Sequence, residues 1–182
     1  MSYQDALNLM HEHTQSEALR KHMYAVEAAM RFYAKKFGEE EELWGTVGIL
    51  HDFDYENYPG APDHPTKGSE ILKEKGYSEE IRQTILSHAD YMNVPRDSKM
   101  AKTLYACDEL CGFIMACSVI RPNKIADLEV SSVKKKLKDK AFAKNVSRED
   151  IERGTNDLGI PLEEHVKNVI EAMRSVSSRL GL

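Results

Sequence analysis

Trp44-Gly-Thr-Val-Gly-Ile-Leu-His-Asp-Phe-Asp-Tyr-Glu56 is an apolar run that ends in an adjacent histidine and aspartate. Leu43, Val47 and Leu50 recur at helical spacing, so one side of the segment faces a core. Its last turn then delivers an imidazole and a carboxylate to the place where that core meets a loop. Both groups are costly to bury. A carboxylate taken out of water without a partner is either strongly destabilising or neutralised by a pKa shift, so a metal or other cation beside His51 and Asp52 is the simplest explanation. His-Asp is nevertheless a common dipeptide, and its weight depends on other ligands standing at compatible places.

The segments around it also read as helix. Residues 3 to 13 carry Tyr3, Leu7 and Met10 on one side, with His11 and His13 expected at the exposed end. Ser16 is a good N-cap for a long helix that Gly38 ends after Phe37. Its stripe is Leu19, Met23, Val26, Met30 and Tyr33, and His22 lies on that stripe. Phe53 to Pro65 breaks the periodicity with Pro59, Gly60, Pro62 and Pro65, and loops of that length tend to carry function. His64-Pro65 leads from this loop into a helix with Ile71 and Leu72 inside. Ser78 caps the next helix, where Ile81, Ile85 and His88 form one stripe. Ser98 to about Ile120 forms a strongly apolar helix through Leu104, Cys107, Cys111 and Ile114, and Asp108 sits among these residues.

Composition bounds the class. The chain has 182 residues, one domain (1–182) by the usual length prior and long enough for a real core. Charged residues make up 30% and hydrophobic ones 41%, with no run near the length a membrane span needs. The polar first fifteen residues do not resemble a signal peptide, so a cytoplasmic location is expected. Cys107, Cys111 and Cys117 fall on one expected helix and read as small core residues, without a disulfide framework. A net charge of −5 argues against a general nucleic-acid binder. Residues 131 to 144 carry six lysines opposite Val133, Leu137 and Ala141, which predicts a basic amphipathic helix with a solvated face. Ser147 is expected to cap another helix, and Pro161 with Glu163 and Glu164 to open the last, where His165 borders the apolar stripe as a structural residue.

His22, His51, Asp52, His88 and Asp108 thus lie on or at the end of the apolar stripes of four helices, and His64 sits at the mouth of the adjoining loop. Each has an ordinary explanation alone. One or two metal ions gathered by a helical bundle explain all of them together. Nitrogen and carboxylate ligands without thiolates suit Mn, Fe, Co, Ni, Zn or Mg and do not choose among these.

These residues carry a resemblance. His22, then His51-Asp52, then Asp108, in that order on successive helices, resemble the H…HD…D signature of the HD superfamily of metal-dependent phosphohydrolases. The resemblance implies an all-α, HD-domain-like multi-helix bundle and a divalent ion on those four residues. His64 and His88 are similar to the two extra histidines of subfamilies with a second metal. The likeness spans roughly residues 16 to 120 and extends to the small stand-alone HDIG-type bacterial proteins. It has departures. Phe53-Asp54 stands where Ile-Gly often follows the His-Asp pair, Tyr55 replaces the lysine of the cyclic-dinucleotide branch, and that branch's Gly-Tyr-Pro motif is missing, which argues against cyclic-di-GMP hydrolysis.

The implied activity is hydrolysis of a small phosphate ester, a nucleotide or related molecule. A bound divalent ion makes hydroxide available near neutral pH and neutralises phosphoryl oxygens, and its affinity should weaken as pH falls through about 6, where histidines protonate. Asp54 and Glu56, just past the ligands, are candidates for orienting the water or protonating the leaving group. Lys67, in the first turn of a helix, is a candidate for meeting the phosphate, as are Arg20 and Lys21 beside His22. Three other readings use the same residues: a di-iron centre that activates oxygen, testable by iron copurification and oxygen uptake; a catalytically silent metal- or nucleotide-binding module; and a purely structural cluster.

Overall fold

In the computed structural model, which describes residues 1–182, the chain forms ten α-helices, one short 3-10 turn at Asp90–Met92 and no strand. They are α1 Tyr3–His13, α2 Glu17–Phe37, α3 Glu41–Leu50, α4 Thr66–Glu74, α5 Glu79–Leu86, α6 Lys99–Val119, α7 Val130–Leu137, α8 Arg148–Leu158, α9 Leu162–Ser175 and α10 Ser177–Leu180. Ser16, Ser78, Ser98 and Ser147 start α2, α5, α6 and α8, each accepting from the backbone N–H three residues on and satisfying a donor that the helix leaves open. Gly38 ends α2 in the left-handed conformation at φ 72°.

The long helices α2 and α6 form the centre, with α3 and α9 packed on α2 and α8 packed on α6. All ten helices contribute to one continuous apolar cluster running from Ala6 to Leu180. The three cysteines are buried free thiols within it, as their positions predicted.

Helix α3 has ten residues and two internal glycines, each costing about 1 kcal/mol of helix propensity relative to alanine. Packing therefore holds it. Trp44, Val47, Ile49 and Leu50 are buried, each worth roughly 2 kcal/mol over exposure. Gly48 permits the close approach, because a Cβ there would lie 2.7 Å from Glu27 Cα on α2. The segment after α3 is pinned to the α1–α2 connection. Phe53 is fully buried, its carbonyl accepts from Thr14 Oγ1 at 3.0 Å, and Asn57 Nδ2 donates to His13 O at 2.8 Å. His13 is half-buried against the Phe53 ring, and His11 is half-buried and bonded to the Tyr24 hydroxyl at 2.6 Å, so neither is the free surface residue expected.

The basic helix expected over 131–144 stops at Leu137. Beyond it, Asp139 Oδ1 accepts from Ala141 N at 3.1 Å, and the Arg148 guanidinium takes the carbonyls of Asp139, Phe142, Ala143 and Val146. One arginine thus supplies the donors that helical backbone would have supplied, and the segment turns. No helix of the chain is long and apolar enough to cross a membrane.

Candidate metal centre

Three helices assemble a first group of candidate ligands. His22 comes from α2, His51 directly follows α3, and Asp108 comes from α6. His22 Nε2 is 2.9 Å from Asp108 Oδ1 and 3.2 Å from His51 Nε2, and His51 Nε2 is 3.5 Å from Asp108 Oδ1. His51 is fully buried, and its Nδ1 lies 2.8 Å from Gly48 O. A carbonyl only accepts, so Nδ1 carries the proton and Nε2 presents its electron pair to the group.

A second group comes from helix ends and the loop. Asp52 Oδ1 lies 3.3 Å from both His64 Nε2 and His88 Nε2, and those two nitrogens are 3.3 Å apart. His88, just past α5, donates Nδ1–H to Ile85 O at 2.5 Å. His64 donates Nδ1–H to Asp54 Oδ1 at 2.8 Å, and Asp54 Oδ2 accepts from Gly68 N at 2.7 Å. A Cβ at Gly68 would lie 2.7 Å from the Asp54 carboxyl carbon, so only glycine lets the start of α4 close on it.

Ligand atoms that each stand about 2.1 Å from one ion lie roughly 3.0 to 3.4 Å from one another. Both groups match that spacing. In each, electron pairs of Nε2 atoms and carboxylate oxygens converge, an arrangement that repels itself unless a cation or proton sits between them. Asp52 links the two: while Oδ1 meets the second group, Oδ2 lies 3.6 Å from His51 Nε2 and 3.8 Å from His22 Nε2. Its two oxygens thus face both groups.

The protonation balance shows the same demand for positive charge. Burial, the largest influence on His64, favours the neutral ring, yet hydrogen bonds to Asp52 and Asp54 and the charges of both carry its pKa up to about 9. His51 and His88 are likewise raised by Asp52 and Asp108 against their burial. Burial would raise Asp52, but the His51 charge and bonds from His64 and His88 hold it well below the usual carboxylate range. A metal ion held there would take the place of those protons.

The HD domain family model matches residues 19–112, more than half of the 182-residue chain and a span that contains all six candidate ligands. The chain belongs to the HD domain family. No curated protein and no solved structure matches it. Membership places the chain in a superfamily of metal-dependent hydrolases whose domains bind divalent metals, and the two His/Asp groups are where this HD domain can hold them.

The other expected site residues of this HD domain are engaged elsewhere. Asp54 is buried and holds His64 and the start of α4, so it is a positioning residue and does not face the cavity at the ligands. Glu56 Oε2 accepts from Gln15 N at 2.8 Å and Ser16 N at 2.9 Å, bracing the loop. Lys67 pairs with Glu70 at 2.9 Å on the exposed side of α4. Arg20 Nε donates to Thr14 O at 2.6 Å, and Lys21 lies 4.0 Å from Glu17. None of these five lines the cavity over the ligands. Long cationic side chains end wherever an acceptor is near, and helical phase does not fix that end.

That cavity, about 550 Å³, is walled by Tyr55, Tyr91 and Tyr105 and by the carboxylates Asp90, Glu109 and Asp150. It has no lysine or arginine in its wall. Tyr91 donates to His64 O at 2.6 Å, and the Tyr55 ring stands edge-on to His64 with centroids 5.1 Å apart. Burial, then the Asp108 charge, push Glu109 up to about 7. Sequence reasoning passed over these walls. Asp90, Tyr91 and Glu109 are one to three residues from ligands and could have been marked by proximity, whereas Asp150 on α8 carried no local signal.

Proposed function

We propose that this HD domain is a divalent-metal-dependent phosphohydrolase that acts on a small phosphate ester. The observation that carries the reading is the Asp52 carboxylate, whose two oxygens face two separate ligand groups beneath one open cavity. Ions held there would make hydroxide available near neutral pH and neutralise phosphoryl oxygens as charge builds up in the transition state. His22, His51 and Asp108 would hold one ion, His64 and His88 the other, with Asp52 between them.

The chain's own residues supply orientation. Gly48 O and Ile85 O fix the ring faces of His51 and His88, and Asp54 does so for His64, so the ligands are set before any substrate arrives. With no lysine or arginine in the cavity wall, the phosphoryl group has to be held by the metal centre itself. The test is phosphate release from a panel of phosphate esters by protein reconstituted with Mn, Co or Ni. Metal-dependent release from at least one ester is expected. Fully reconstituted protein that cleaves none of them would overturn the proposal.

A further inference from the structure

We infer that the outer wall of the metal cavity selects phosphomonoesters whose alcohol part is neutral or cationic and donates hydrogen bonds, and that it excludes substrates with a second anionic group. The inference rests on the phosphohydrolase reading and goes further, to the class of substrate. All positive charge facing the cavity would reside on the metal side, since its lining contains no lysine or arginine. Beyond the ligand groups, the lining includes the carboxylates Asp90, Glu109 and Asp150. The Tyr105 hydroxyl donates to Asp150 Oδ1 at 2.9 Å and lies 3.2 Å from Asp90 Oδ2, tying two of these carboxylates into one surface.

Two guanidiniums compensate that surface from behind. Arg96 pairs with Asp90 at 2.8 Å, and Arg153 pairs with Asp90 at 2.8 Å and also with Asp150. Arg96 stacks 3.7 Å and Arg153 5.5 Å from the centroid of the Tyr105 ring. Both arginines line an adjoining cavity that shares Asp90, and neither lines the metal cavity. They therefore hold the carboxylates in place without presenting a cation to the substrate. Glu109 accepts only from Ser147 N, at 3.1 Å, and no basic side chain pairs with it.

A phosphate held by the ligand groups would thus project its alcohol part onto acceptors. Hydroxyls and ammonium groups are matched there, whereas a carboxylate or a second phosphate meets carboxylate oxygens with no cation on the cavity side, the repulsive element by which sites reject wrong partners. The cavity volume of about 550 Å³ falls within the range of small-molecule sites.

The test uses the full chain loaded with Mn and three probes that share a phosphomonoester head: glycerol 3-phosphate, 3-phosphoglycerate and phosphoethanolamine. Binding is measured by calorimetry and turnover by phosphate release, with p-nitrophenyl phosphate as a reference ester. Glycerol 3-phosphate and phosphoethanolamine are expected to exceed 3-phosphoglycerate by at least about 10-fold in affinity and in kcat/KM. Asp150→Asn keeps an acceptor for Tyr105 while removing a charge, and it should lower that preference severalfold. Glu109→Gln should do the same and stands in if the first variant does not fold. Equal binding of 3-phosphoglycerate by the wild type, or an unchanged preference in both variants, overturns the inference. If p-nitrophenyl phosphate and all three probes go uncleaved, the phosphohydrolase reading fails, and the binding preference still decides the wall.

Discussion

Helix α6 has buried or half-buried histidines on two of its sides, and the chain treats them in opposite ways. On one side Asp108 meets His22 and His51, whose Nε2 atoms point at a carboxylate and at each other. On the other, His165 from α9 places Nε2 2.8 Å from Ala106 O and Nδ1 2.6 Å from the Tyr33 hydroxyl. There the ring donates to a carbonyl and accepts from a phenol, so each nitrogen has a partner of the opposite kind and no cation is required. Burial lowers the His165 pKa to about 4, whereas carboxylates raise those of His51, His64 and His88. Burial by itself therefore does not mark a metal ligand. Convergence of acceptors does.

The sharpest way to break this contrast is Asp52→Ala. It removes the one carboxylate placed toward both ligand groups, so metal content by elemental analysis should fall from two ions per chain to near none, while the far-ultraviolet circular dichroism of the helices survives. Retention of stoichiometric metal would refute the bridging role. Asp54→Ala is expected to act on one group only. Removing the partner that orients a metal-bound histidine costs about 10- to 100-fold in affinity. Calorimetric metal titration should thus show one weakened step and one unchanged step, and equal weakening of both would show that Asp54 merely holds up the fold.

His165 supplies the complementary measurement. Its pKa is about 4 in the native protein and near 6.5 in the unfolded chain, so between those values the unfolded state binds the extra proton. Its contribution to stability is fully present above about pH 6.5 and is lost as pH falls toward 4, about 3 kcal/mol in all. Denaturant unfolding of chelator-treated, metal-free protein at pH 7 and pH 4.5 should show that loss, and His165→Asn should flatten it; an identical slope in both proteins would place the proton elsewhere. The smallest effect is expected at Lys67. Its partner is the exposed Glu70, so Lys67→Ala should leave metal content unchanged and phosphate release within about twofold, since exposed ion pairs contribute little. A loss of turnover on the order of 10-fold or more would restore the phosphate-binding role that its place in the sequence first implied.

Sequence by itself determined most of the helices and marked the candidate ligands. Serine caps at 16, 78, 98 and 147 and Gly38 after Phe37 mark helix ends because they satisfy backbone groups within a few residues of themselves. His22, His51, Asp52, His88 and Asp108 stood out because helical phase is local, and a polar group on an apolar stripe is visible without any partner. Tertiary structure alone decided what each polar side chain does once there. It turned Asp54 and Glu56 from candidate acids into braces, drew Lys67, Arg20 and Lys21 onto neighbouring acceptors, and ended α7 at Leu137 through Arg148. It also brought Asp150 beside Tyr105 across 45 residues to build the cavity wall. Those outcomes depend on which carbonyl, amide or carboxylate lies within about 3 Å of a flexible side chain, a quantity set by how the helices pack rather than by spacing along the chain.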